Sequence, residues 1–103
     1  MVKATLAVQR RLAFDDGAFA IIKVWLVPAP VPPSQHRYKY SLVYVVDGAR
    51  MIGYDNERGK GDHRHWRDVE TPYLFVSMRR LLDDFLNDVN VMRAVGDEGQ
   101  SES

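Results

Sequence analysis

His63 and His65 stand two residues apart in the run GYDNERGKGDHRHW, residues 53–66, which also carries Arg58, Lys60, Arg64 and the carboxylates Asp55, Glu57 and Asp62. On an extended strand a spacing of two puts both imidazoles on one face. Imidazole exchanges protons near neutral pH, and a neighbouring carboxylate orients or tunes it; Asp55 and Asp62 are the candidates for that task. Arg58, Lys60 and Arg64 are cations suited to a phosphate. Together these types match cleavage of RNA through its own 2′-hydroxyl. That reaction needs a base for the hydroxyl proton, an acid for the leaving 5′-oxygen and positive charge at phosphorus.

The glycines beside Lys60 invite comparison with a phosphate-binding loop, and the comparison fails. Gly53 and Gly59 have five residues between them, Gly61 follows the lysine where Ser or Thr is required, and His-Arg-His-Trp does not open a helix. What remains is that Gly59 and Gly61 let backbone amides approach an oxyanion and leave the ammonium unshielded. His36, Arg37 and Lys39 supply further imidazole and cationic groups. The bland alternative is a solvated turn. A metal held by His63 and His65 with Asp62 or His36 has the right ligand types, but no third ligand has diagnostic spacing. The expectation is therefore catalysis without metal or cofactor.

These side chains need a scaffold. Asp16-Gly17 between two β-prone runs predicts a hairpin, pairing Phe14 with Phe19 and Leu12 with Ile21; a three-residue loop that includes Asp15 shifts the pairing by one. The proline-rich stretch 28–33 is then a stiff surface crossover, or less readily a docking site for a partner. Tyr38, Tyr40, Leu42, Tyr44 and Val46 alternate along the next strand. Asp47-Gly48 turns it back, pairing Val43 with Ile52 and Ser41 with Tyr54. This second hairpin carries residues 53–58 toward His36, Arg37 and Lys39. A short strand over residues 63–66 is expected next. The tyrosines and Trp66 read as packing before base stacking.

Met78, Leu81, Leu82, Phe85, Val89 and Met92 recur at helical spacing, with Ser77 as N-cap and Gly96 placed as the stop. Asp83, Asp84 and Asp88 are expected on the opposite, solvent side. The fold class is α+β: an antiparallel sheet of four or five strands from two hairpins, packed on one C-terminal amphipathic helix. One domain over residues 1–96 and a polar disordered tail over residues 97–103 are expected.

Composition sets the limits. The chain has 103 residues, 46% hydrophobic and 27% charged, enough for one modest core. The absence of cysteine excludes disulfides, a thiol nucleophile and thiolate zinc sites. The longest apolar run is too short to cross a bilayer, and the start shows no leader-like segment, so a cytoplasmic location is expected. Net charge is zero but uneven: residues 1–35 carry +2, residues 36–67 carry +3, and residues 68–103 carry −5. The basic middle third fits an anionic partner, and the acidic last third can answer it with opposite charge or meet a second copy in a homodimer.

Tyr54-Asp55-Asn56 followed by Gly59-Lys60-Gly61-Asp62-His63-Arg64-His65 resembles the signature of the TumE family, the toxin half of a bacterial and archaeal toxin–antitoxin pair. The first hairpin, the strand HRYKYSLVYVVDG and the closing helix fit as well. The resemblance implies a small growth-inhibiting protein made beside an antitoxin with a helix-turn-helix DNA-binding domain. The signature residues it carries over are Asp55, Gly59, Lys60, Gly61, Asp62, His63, Arg64 and His65. By analogy with toxins of this size, the expected activity is that of a metal-independent endoribonuclease with RNA as target; the alternative is a non-catalytic toxin that binds RNA, the ribosome or a protein through the same basic loop.

Overall fold

The structure is a computed structural model that describes residues 3–101, with side chains through residue 95. Six strands and one helix follow in order: β1 Thr5–Ala13, β2 Phe19–Leu26, β3 Tyr38–Val46, β4 Ala49–Glu57, β5 Gly61–Trp66, β6 Val69–Pro72 and α1 Met78–Ser101. The strands form one antiparallel meander in the order β1-β2-β3-β4-β5-β6. This is the expected α+β architecture with more strands than the four or five read from the sequence. The additional strand arises because Arg67, at φ 53°, turns the chain after Trp66, and Val69 then pairs with Trp66. Pro72 ends β6 at the sheet edge, the place where a missing N–H costs least.

Both Asp-Gly turns form, and both registers depart from the simplest pairing. In the first hairpin Phe14 donates its amide to Ala18 O and Gly17 donates to Phe14 O. The loop is therefore Asp15-Asp16-Gly17, and Ala13 pairs with Phe19 and Arg11 with Ile21. Gly17 takes φ 87°, the left-handed position such a loop requires. In the second, Val46 pairs with Ala49 and Val45 with Arg50 as the two-residue turn demands. A bulge between Tyr44 and Val45 then slips the ladder by one, so Tyr44 meets Ile52 and Ser41 meets Asp55. The slip keeps Ile52 and Tyr54 on the same face as Tyr44.

That face is the core. Ala20, Ile22, Val24, Tyr40, Leu42, Tyr44, Ile52 and Tyr54 are buried against Leu81, Phe85, Val89 and Met92 of α1. Each fully buried aliphatic or aromatic side chain contributes roughly 1.5–3 kcal/mol. Ser77 caps the helix: its Oγ accepts the Arg80 amide at 3.1 Å. The helix passes Gly96, the expected stop, and continues to Ser101. The expected tail reaches residues 102 and 103, which lie outside the described residues. Asp88 corrects another expectation. It follows Leu81 by one heptad on the apolar stripe, is buried, and accepts a hydrogen bond from the Tyr54 hydroxyl.

Among the described residues no element covers the other face of the sheet. None of the described helix is long and apolar enough to cross a membrane.

Candidate functional site

Alternation along β4 and β5 sorts the charged segment onto two faces. Asp55 pairs with His63 and Gly53 with His65, so Asp55, His63 and His65 share the uncovered face. Asn56, Asp62 and Arg64 point to the helix side. The two imidazoles meet edge to face, with ring centroids 4.9 Å apart. His63 Nε2 contacts Asp55 Oδ1, and His65 Nε2 lies 4.0 Å from the same oxygen. His63 is 4% exposed. An open cleft lined by Lys60, His63, Glu70, Thr71 and Pro72 reaches it from the β5–β6 edge. Lys60 Nζ lies 3.5 Å from Glu70 Oε1 at that rim.

Hydrogen-bond partners assign the protons. His63 Nδ1 lies 2.9 Å from the Gly61 carbonyl, which only accepts, so Nδ1 carries a proton and donates it. Arg50 Nη2 lies 3.1 Å from His65 Nδ1. Guanidinium only donates, so that nitrogen accepts. Burial, then the Arg50 charge, pushes His65 below the usual histidine value. Burial raises the Asp55 carboxyl above its ordinary value, against the pull of His63 and His65. Asp55 Oδ1 is closed to solvent and makes no hydrogen bond.

Arg50 belongs to this site and sequence reading missed it. It starts five residues before Asp55 and reaches His65 across Gly53. A Cβ built on Gly53 would lie 3.1 Å from Arg50 Cδ and 3.4 Å from His65 Cδ2. The usable signal was the glycine itself: a strand position kept empty marks a side chain crossing above it.

Asp62, expected to orient an imidazole of this pair, holds His36 instead. His36 accepts the Tyr38 amide at Nδ1 and donates from Nε2 to Asp62 Oδ2 at 2.6 Å. Tyr40 and Ser34 hydroxyls also donate to Asp62, at 2.7 and 2.5 Å. The His36 ring stacks on Phe75 with centroids 3.8 Å apart. Strand alternation separates this network from His63. Arg64 is likewise taken up on the helix side, where its Nε donates to Asp88 Oδ2 at 2.7 Å and to Tyr54 at 3.1 Å. Trp66 lies beside it, 5.2 Å from ring centroid to guanidinium carbon.

The glycines have structural work. Gly59 and Gly61 take φ 88° and 77°. The Gly59 amide donates to Pro32 O and the Lys60 amide to Glu57 O, so neither is free for an oxyanion as expected. Arg58 and Lys60 are exposed on the β4–β5 turn, and Arg37 is exposed just before β3. Lys39 extends the uncovered face: it pairs with Trp25, and the adjacent row runs Lys23, Ser41, Asp55, His63 across four strands. At roughly 4.8 Å per strand, Lys23 stands about 10 Å from Asp55. Arg11 stacks on Phe19 on that face at 4.4 Å.

A small meander sheet with a helix on one face and a polar cluster on the other defines a compact α+β protein with one chemically distinctive surface. The chain belongs to the family described as Toxin TumE, whose family model matches residues 3–93. It is thus a toxin-family protein of a toxin–antitoxin system, with an antitoxin as its general kind of partner. No curated protein and no solved structure matches the chain.

Proposed function

We propose that this TumE-family protein arrests growth by cleaving RNA on the uncovered face of its sheet. One observation carries the reading: Asp55, His63 and His65 converge on that face, with Lys23 in the row of Asp55 and His63 and Lys39 in the row beside it. The RNA 2′-oxygen attacks phosphorus and the bond to the 5′-oxygen breaks; the 2′-hydroxyl proton passes to the Asp55–His63–His65 cluster, and the cluster gives a proton to the departing 5′-oxygen. Arg50 and Lys60 offset the charge that builds on the phosphate oxygens. The row of cations extending to Lys23 and Arg11 suits a single strand, whose backbone can follow it.

The antitoxin, a helix-turn-helix protein encoded nearby in this reading, silences the toxin by laying an acidic segment over the same face.

Induced expression tests the function. Wild-type protein is expected to stop growth and fragment cellular RNA, while His65→Ala and Asp55→Asn, made at equal folded levels, do neither. A wild type that stops growth, binds RNA and leaves it intact would replace cleavage with binding.

A further inference from the structure

We infer that Asp55, His63 and His65 form a binding site for a divalent transition-metal ion. The inference rests on reading this cluster as the reacting centre, and it changes the imidazoles from proton carriers into ligands.

The donor set comes first. Two imidazole nitrogens and one carboxylate oxygen, from neighbouring strands, lie within 4.8 Å of one another. Metal–ligand bonds of about 2.0–2.2 Å require donors roughly 3–4 Å apart, which small side-chain rotations supply. Two imidazoles with one carboxylate suit zinc, manganese, iron or cobalt; magnesium and calcium prefer all-oxygen sites.

His63 Nδ1 donates to the Gly61 carbonyl, which holds the ring with Nε2 turned toward Asp55. That nitrogen faces Asp55 Oδ1, an oxygen without a hydrogen bond and closed to solvent. A buried carboxylate oxygen without a hydrogen bond calls for a cation beside it. A backbone carbonyl accepting from the far nitrogen is the outer-shell arrangement that orients a metal-bound histidine. Glu70 Oε1, 3.4 Å from His63 Nε2, stands where a further oxygen ligand can enter through the cleft.

Arg50 opposes loading. Its bond to His65 Nδ1 leaves the proton of neutral His65 on Nε2, the nitrogen nearer Asp55. Ligation at Nε2 moves that proton to Nδ1 and releases Arg50, an exposed residue free to swing away. Metal binding thereby frees the guanidinium that the proposed function directs at phosphate. A divalent ion at this point would offset phosphate charge and acidify a hydroxyl.

The test uses the full chain without RNA, stripped with chelator and titrated with Zn²⁺ by calorimetry and with Co²⁺ by visible absorption. One equivalent per chain is expected, with ligand-field bands for Co²⁺ and shifted ring signals of His63 and His65 in NMR. Asp55→Asn and His65→Ala, verified as folded by circular dichroism, should each weaken binding by at least about tenfold. His36→Ala should leave binding unchanged, and Arg50→Ala should tighten it. No binding by the wild type would overturn the inference and leave a proton as the buried cation. Binding that survives Asp55→Asn and His65→Ala would overturn it too. RNA cleavage unaffected by chelator, with no metal bound, would remove the metal and leave the ribonuclease standing. Metal bound at these residues by a protein that cuts no RNA would do the reverse.

Discussion

Asp55 and His63 face each other across the β4–β5 ladder, and the residues flanking them in sequence point through the sheet to the helix. One hairpin thus serves two purposes. Its odd positions build a polar cluster on the uncovered face, and its even positions, Tyr54, Asn56, Asp62 and Arg64, lock the fold.

The lock is testable at Asp88. Its carboxylate accepts from Tyr54 at 2.5 Å and from Arg64 at 2.7 Å, joining α1 to β4 and β5. Asp88→Ala leaves a partly buried guanidinium without its partner, and is expected to cost about 2–4 kcal/mol in urea denaturation. Arg64→Ala should act on the same transition, and its folded fraction should keep wild-type RNA affinity. A loss of RNA binding at unchanged stability would return Arg64 to the phosphate.

Gly59 and Gly61 should respond differently to alanine. Both take a left-handed φ, at a cost of about 1–2 kcal/mol for any Cβ. At Gly59 that Cβ meets open space, whereas at Gly61 it would lie 2.9 Å from Pro33 Cγ. Gly61→Ala is therefore expected to lose about 2–4 kcal/mol, roughly double the loss at Gly59, by thermal or urea midpoint. Equal losses would mean the proline segment yields.

Much of this design could be read from residue order, and the failures arose where three-dimensional placement departs from it. The Asp-Gly pairs marked both hairpins, and the spacing of His63 and His65 put the rings on one face. Register was the weak point: the loop that includes Asp15 and the bulge at Tyr44 each move a ladder by one residue, which exchanges faces. Asp62 looked like a partner of His63 because it is adjacent in sequence, and adjacency on a strand means separation. Asp88 lies one heptad beyond Leu81, so helix geometry returns it to the buried stripe. Arg50 escaped because its reach depends on the space above Gly53.

Asp62 gives a pH-dependent prediction. Burial pushes its carboxyl up, but hydrogen bonds from Ser34, His36 and Tyr40 outweigh that and hold it below the usual carboxylate value. A folded pKa lower than the unfolded one, about 3.9, stabilises the fold above that pH. The contribution is lost as pH falls through the lower folded value. Asp62→Asn should thus cost about 1–3 kcal/mol at neutral pH, with the gap to wild type narrowing in acid. A gap constant with pH would contradict this assignment.

If the antitoxin covers the uncovered face with acidic residues, the complex should weaken with ionic strength. Its dissociation constant is expected to rise between about 0.05 and 0.5 M salt, as the screening length contracts. Lys23→Ala or Lys39→Ala should flatten that dependence. Affinity independent of salt would place the antitoxin elsewhere, on an apolar surface.

The central claim is tested most directly by incubating purified, refolded chain with a defined single-stranded RNA and resolving the products on a gel. Wild-type protein is predicted to cut the RNA and leave a 2′-deoxy analogue whole, while folded Asp55→Asn and His65→Ala lose cutting by at least about a hundredfold. Cutting retained in both variants would contradict the account.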